Sequence, residues 1–183
     1  MVGMKTVADM LTSLRVILGR CLVWLGWREG ALAIRSAALA LLAAWATDVL
    51  DGPAARSDPR GLRTWIGDHD LEADLFIALG IVVYLALAGF VSIWLAGAYL
   101  AISAVAMQQF GSVHLNWALQ APPYGAMVWT AWRLAPNYSL ALVVWIAGVV
   151  LVTWPRFPRQ VVPEFLRGMC ELRLRPQLRA GRR

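Results

Sequence analysis

Apolar segments approaching 20 residues in length recur along this chain, and they restrict its fold more than any other feature. A helix needs about 20 mainly apolar residues to cross the hydrocarbon core of a bilayer. Only 15% of the residues are charged and 60% are hydrophobic, whereas a soluble domain carries about 25% charged residues. We therefore predict an all-α integral membrane protein of about six transmembrane helices, with an N-terminal amphipathic segment around residues 6–14. The predicted spans are residues 11–27, 31–50, 71–90, 91–107, a weaker one at 123–134, and 139–154.

The basic residues concentrate in three regions, namely the first 20 residues, the polar segment 52–70 and the tail 156–183, which alone holds eight Arg. With six spans these regions share one side, and Lys and Arg favour the cytoplasmic side. We therefore predict a multi-pass inner-membrane protein with both termini in the cytoplasm, although Arg28 and Arg35 fall on the other side. Residues 1–155 would form the membrane domain. Residues 156–183 would form a basic tail that contacts anionic lipid headgroups rather than nucleic acid.

The acidic residues gather elsewhere, since residues 48–74 hold seven of the eleven in the chain. Asp48 and Asp51 are three apart at the end of the second predicted span, and Asp70 and Asp74 are four apart at the start of the third. Each spacing places two carboxylates on one helix face. Carboxylates beside a bilayer are costly, so four of them would need cations, and oxygen ligands favour Mg²⁺ or Mn²⁺.

Two residue types beside these carboxylates suit phosphate chemistry. Gly52 lets the backbone approach a ligand closely, and Arg56 offers a planar fork of donors that matches phosphate oxygens. Magnesium held by carboxylates commonly binds substrate phosphates. The residues themselves therefore predict a metal-dependent site that handles phosphate groups at the cytoplasmic interface.

The same residues resemble the motif of the CDP-alcohol phosphatidyltransferases, D-x2-D-G-x2-A-R-x8-G-x3-D-x3-D. The first half matches at every fixed position: Asp48, Asp51, Gly52, Ala55 and Arg56. The second half matches as Asp70-x3-Asp74, but Asp70 comes one residue late, Gly67 precedes it by three positions, and Leu75 stands where many members have Lys. Asp68 therefore stays open as an alternative ligand. Members also begin with a stretch like L-T-x-x-R, here residues 11–15.

The resemblance implies an activity and a set of roles. A phosphatidyl or similar group would pass from a CDP-alcohol, typically CDP-diacylglycerol, to an acceptor alcohol such as glycerol 3-phosphate, releasing CMP. Asp74 would take the proton of the acceptor. Gly52, Ala55 and Arg56 would lie along the nucleotide, and the protein would be a homodimer. Two divalent cations would be held by Asp48, Asp51, Asp70 and Asp74.

Two rival functions remain on the sequence alone. One is a catalytically inactive member of the family, and the other is a membrane cation transporter. Transport is disfavoured because no Asp or Glu lies in the middle of a predicted span. Arg15 and Arg133 could reach the phosphate of an acceptor or extend to the membrane interface, while His114 and Asn116 are predicted to be ordinary loop residues.

Overall fold

The computed structural model describes residues 4–56 and 70–172. In these two ranges it contains six long helices: α1 (Met4–Arg28), α2 (Ile34–Arg56), α3 (Asp70–Leu87), α4 (Ile93–Phe110), α5 (Val113–Leu134) and α6 (Pro136–Val152). A 3₁₀ turn, Gly30–Ala33, joins α1 to α2, and a π-helical turn, Phe157–Val161, precedes a short helix, α7 (Val162–Cys170). The described residues contain no strand, so the all-α prediction is confirmed.

Three stretches of the described helices are long and apolar enough to cross a membrane by themselves, namely Asp9–Arg28, Gly30–Leu50 and Ile93–Phe110. A fourth is possible if α6 and the segment Phe157–Cys170, which are bent by 83° from each other, form one span. The chain thus has the composition of a membrane protein. The count of six spans, the amphipathic segment at residues 6–14 and the division at residue 155 stay predictions.

The fifth predicted span began at residue 123, and this boundary is wrong. The sequence predicted a polar connection over residues 108–122, yet α5 begins at Val113 and runs through Pro122 and Pro123, although proline usually kinks or ends a helix. Pro123 cannot donate the helical hydrogen bond to the Leu119 carbonyl. The hydroxyl of Tyr99, on α4, donates to that carbonyl instead. A neighbouring helix therefore supplies the bond that the proline removes.

The second helix also extends further than predicted, because α2 continues past Leu50 as far as Arg56. Pro53 therefore also lies inside a helix. The motif residues from Asp48 to Arg56 consequently occupy the last turns of one continuous helix. The side chains of residues 51–56 lie outside the part of the chain that the structure describes.

Helices α1 and α3 approach each other closely because glycines face each other across their contact. A Cβ atom on Gly80 would lie 2.8 Å from the carbonyl oxygen of Gly19, and one on Gly19 would lie 2.6 Å from the Phe76 ring. Small residues allow such close approach between membrane helices. A buried cluster that includes Leu22, Ile77 and Ile81 continues this contact. The close packing brings the first half of α1 alongside the start of α3.

Several helix termini meet at one end of the bundle. Asp48, near the end of α2, and Asp74, near the start of α3, both contact Arg15 in the first half of α1. The first half of α5 reaches the same place. There α7 packs against α5, since a Cβ on Gly168 would lie 2.1 Å from Nδ1 of His114. The acidic motif therefore lies at this end, which we call the site end.

Candidate active site

Arg15 is the centre of the site, although its side chain is only 1% exposed. Its Nη1 atom donates to Oδ1 of Asp48 at 2.9 Å and also to Oδ1 of Asp74. Its Nη2 atom donates to Oγ1 of Thr12, one helical turn earlier, at 3.3 Å. A buried charge needs such partners, because removing it from water is costly. The alternative that Arg15 extends to the membrane interface is therefore wrong.

The two carboxylates differ in their exposure to solvent. The side chain of Asp48 is 52% exposed and that of Asp74 is 21% exposed. They come from different helices, and yet both contact the same guanidinium group. The expectation that the end of α2 faces the start of α3 is thus met for these two residues.

The remaining predicted ligands lie one turn away on the same helices. Asp51 follows Asp48 by three residues on α2, and Asp70 is the first residue of α3. Their side chains, and all of Asp68, lie outside the described part of the chain. Among the side chains that the structure does describe, no group of three His, Cys, Asp or Glu could hold a metal ion. The choice between Asp68 and Asp70 stays open.

A cavity of about 120 Å³ opens beside the two carboxylates. Helices α1, α2, α3 and α5 all contribute to its wall. The residues that line it are Arg15, Ala44, Trp45, Asp48, Asp74, Ile77, Gln120 and Tyr124. It could admit a small polar group next to Asp74, which a proton-accepting carboxylate requires.

The wall that α5 contributes to the cavity was not predicted from the sequence. Gln120 and Tyr124 are four residues apart and so share one face of α5, and the Tyr124 hydroxyl donates to Oε1 of Gln120 at 3.2 Å. The ring of Trp45 stands edge-on to that of Tyr124, with 5.3 Å between ring centres. Residues 108–122 were predicted to form a loop, in which the four-residue spacing of Gln120 and Tyr124 indicates nothing. A predicted helix over this segment would have placed both side chains on one face.

Other residues singled out by the sequence lie away from the cavity. Arg133 is near the far end of α5, about 20 Å from Gln120 at 1.5 Å per residue, and its guanidinium lies 6.0 Å from the centre of the Trp129 ring. It cannot contact an acceptor in the cavity. His114 and Asn116 are helical residues rather than loop residues, and Asn116 is fully buried.

A second, apolar groove of about 470 Å³ lies between α2 and α6. Its lining carries no polar side chain except that of Thr153 and consists of Leu42, Val49, Ala141, Val144, Trp145, Gly148, Val149, Val152 and Thr153. Val49 directly follows Asp48, so the groove reaches the site end. A groove of this kind suits a hydrocarbon chain.

Comparison with known families identifies the class of protein to which this fold and site belong. The model of the CDP-alcohol phosphatidyltransferase family matches residues 5–159, which is most of the chain. The chain therefore belongs to the CDP-alcohol phosphatidyltransferase family. Members of this family are membrane-integral and transfer a phosphatidyl group from a CDP-alcohol. Searches of curated proteins and of solved structures gave no match.

Proposed function

We propose that this protein transfers a phosphatidyl group from CDP-diacylglycerol, or a similar CDP-alcohol, to a small acceptor alcohol and releases CMP, as a step of phospholipid biosynthesis. The observation that carries the proposal is the convergence of Asp48 and Asp74 on one cavity at the site end. Glycerol 3-phosphate is our first candidate for the acceptor. The family membership supplies the reaction class, and the geometry supports the residues chosen for it.

The donor would lie across the site end with its lipid part in the groove between α2 and α6. That groove begins beside Asp48 and is almost wholly apolar, so an acyl chain would bury its surface there favourably. The nucleotide would lie along Gly52, Ala55 and Arg56 on the last turns of α2. This placement would set the diphosphate between the groove and the end of α2.

Two divalent cations, Mg²⁺ or Mn²⁺, would be held by Asp48, Asp51, Asp70 and Asp74. The donor set fits such ions, because it consists only of carboxylate oxygens. The geometry is also compatible, since Asp48 and Asp74 already share one positive group, the guanidinium of Arg15. The cations would offset the negative charge of the transferring phosphoryl group.

The side chains of the protein would carry the remaining steps. Asp74 takes the proton of the acceptor hydroxyl, and the oxygen left behind forms a bond to the phosphorus on the lipid side of the diphosphate. The bond between this phosphorus and the bridging oxygen breaks, and that oxygen leaves with CMP. Arg56 donates hydrogen bonds to phosphate oxygens and so offsets their charge.

We further propose that the site end faces the cytoplasm and that the protein lies in the inner membrane as a homodimer. The N-terminal region, the segment after α2 and the C-terminal tail carry most of the Arg and Lys residues, and such regions are retained in the cytoplasm. The homodimer is inferred from the family. Helix α4 leaves much apolar surface for lipid or a second copy, since Trp94 is 85% exposed.

The test is an assay of the purified protein with radiolabelled CDP-diacylglycerol, Mg²⁺ and a panel of alcohols. We expect CMP release that depends on one acceptor and stops when EDTA removes the divalent cations. No release with any acceptor, under Mg²⁺ or Mn²⁺, would indicate the inactive family member. If such a preparation took up metal ions into vesicles, the protein would be a cation transporter instead.

A further inference from the structure

The cavity beside Asp74 has two chemically different walls. On one side, Asp48 and Asp74 present carboxylate oxygens, which accept hydrogen bonds when ionised. On the other side, Gln120 and Tyr124 present uncharged groups from α5. Nε2 of Gln120 is buried and has no hydrogen-bond partner among the residues that the structure describes. A buried donor without a partner is costly in a folded protein, so this amide calls for an explanation.

The Tyr124 hydroxyl explains how Gln120 is oriented. It donates to Oε1 of the amide at 3.2 Å, which uses the accepting end of Gln120. The donating end, Nε2, is then the part of Gln120 that remains for a ligand. Trp45, one turn before Asp48 on α2, packs edge-on against the Tyr124 ring and fixes its position.

A cavity lined by one uncharged donor and two carboxylate acceptors selects for a particular chemical group. A hydroxyl can donate its proton to a carboxylate while its oxygen accepts from an amide N–H. An ammonium group has no lone pair for Gln120. A phosphate would need a basic partner on the neutral wall, and among the described residues that line the cavity the one basic side chain, Arg15, already contacts both carboxylates and Thr12.

The size of the cavity agrees with this selection. Its volume of about 120 Å³ leaves room for several water-sized groups. It can admit the hydroxyl end of a small alcohol, but a nucleotide is far too large. A phosphate carried by the acceptor would have to lie outside this cavity.

We infer that Gln120 and Tyr124 form the binding subsite for the hydroxyl of the acceptor alcohol, which enters the cavity by an uncharged end. Gln120 donates to the hydroxyl oxygen while the hydroxyl proton faces Asp74. Tyr124 holds the amide of Gln120 in the required orientation. The inference rests on the proposed function, because it names the part of the acceptor that the same site receives.

The experiment compares full-length Gln120→Leu and Tyr124→Phe with the wild type in steady-state assays. CMP release is measured while glycerol 3-phosphate or glycerol is varied at fixed CDP-diacylglycerol, and then with the roles exchanged. Each variant removes about one hydrogen bond, so we expect the KM for the acceptor to rise roughly three- to tenfold. The KM for CDP-diacylglycerol should stay unchanged, which a general disturbance of the fold would not produce.

Tyr84→Phe is the matched control, because it also removes a tyrosine hydroxyl that donates to a backbone carbonyl, that of Gly30 at 3.4 Å, but beyond the end of α1 and away from the cavity. It should leave the KM for the acceptor unchanged. If Gln120→Leu does not fold, Tyr124→Phe decides the question, since it removes a single oxygen atom. If the wild type is active and Tyr124→Phe has the same acceptor KM as the wild type, this inference alone is overturned. An absence of wild-type turnover would overturn the proposed function and the inference together.

Discussion

The two walls of the cavity are built in different ways. The charged wall takes each of its residues from a different helix, with Arg15 on α1, Asp48 on α2 and Asp74 on α3. The neutral wall takes Gln120 and Tyr124 from a single face of α5. The charged wall therefore depends on how closely three helices pack, whereas the neutral wall depends on one helix keeping its form.

Because of this difference, we expect the two walls to respond to different substitutions. A change that separates α1 from α3 should disturb the charged wall, because Arg15 bridges residues that are far apart in the chain. The neutral wall should tolerate such a change but respond to changes within α5. The substitutions below address the charged wall from the largest expected effect to the smallest.

Asp74→Asn should have the largest effect. The amide keeps the size of the carboxylate and can still accept a hydrogen bond from Arg15, but it cannot take the proton of an acceptor. General-base catalysis is worth about 10²- to 10⁴-fold in rate. We therefore expect CMP release to fall by about that factor while the protein remains folded, as judged by size-exclusion chromatography.

Asp68→Asn is the matched control for Asp74→Asn. It makes the same chemical change six residues earlier in the chain, and we expect it to keep most of the activity. An inactive Asp68→Asn beside an active Asp70→Asn would instead show that the second half of the motif is misaligned.

Arg15→Lys should have the next largest effect. A lysine ammonium is a compact charge without the planar fork of arginine, so it cannot contact Asp48, Asp74 and Thr12 with the same geometry. Misplaced catalytic groups can cost about 100-fold in rate, and we expect kcat to fall about 10- to 100-fold. The KM for the acceptor should change little, because Arg15 acts here by positioning the carboxylates.

Arg20→Lys is the control for this substitution, since Arg20 lies on the same helix but is exposed. It should leave kcat unchanged. The sequence also allowed Arg15 to bind a phosphate of the acceptor. A large rise in the acceptor KM of Arg15→Lys at normal kcat would favour that role over positioning.

The sequence pointed to the two carboxylates of the charged wall, but not to the buried Arg15, because the signals of the carboxylates are local. Asp48 and Asp51 share a helix face by their spacing alone, and the family motif fixes Gly52, Ala55 and Arg56 at set offsets from them. The helical class also follows from the apolar segments. The sequence also predicted that Asp74 lies near Asp48, because the end of one helix was expected to face the start of the next. The contacts of Arg15 with both carboxylates show how close the two residues lie.

The neutral wall could not be predicted because the helix that carries it runs through two prolines with the help of a tertiary contact. Pro122 and Pro123 indicate a break by their own chemistry, whereas the Tyr99 hydroxyl, from another helix, donates to the Leu119 carbonyl that Pro123 leaves. The burial of Arg15 was missed for a similar reason. An arginine near a membrane interface usually extends to water, and its partners here lie 33 and 59 residues away.

Gly80→Ala should have the smallest effect on activity, but it tests the packing of the charged wall most directly. The added Cβ would lie 2.8 Å from the Gly19 carbonyl oxygen and 3.3 Å from the Gly19 Cα, so the backbones of α1 and α3 must move apart. Such overpacking typically costs about 1–3 kcal/mol of stability. We expect a lower thermal unfolding temperature in detergent and a modest loss of kcat.

Gly97→Ala is the control, since a Cβ at Gly97 on α4 would meet nothing within 4 Å. It should leave the unfolding temperature unchanged or raise it slightly, because alanine favours the helix over glycine. The acceptor KM should stay near the wild-type value in both variants, since neither residue is on α5. If Gly80→Ala raised the acceptor KM as much as Tyr124→Phe, the two walls would not be independent, because displacement of α1 from α3 would then reach Gln120 as well.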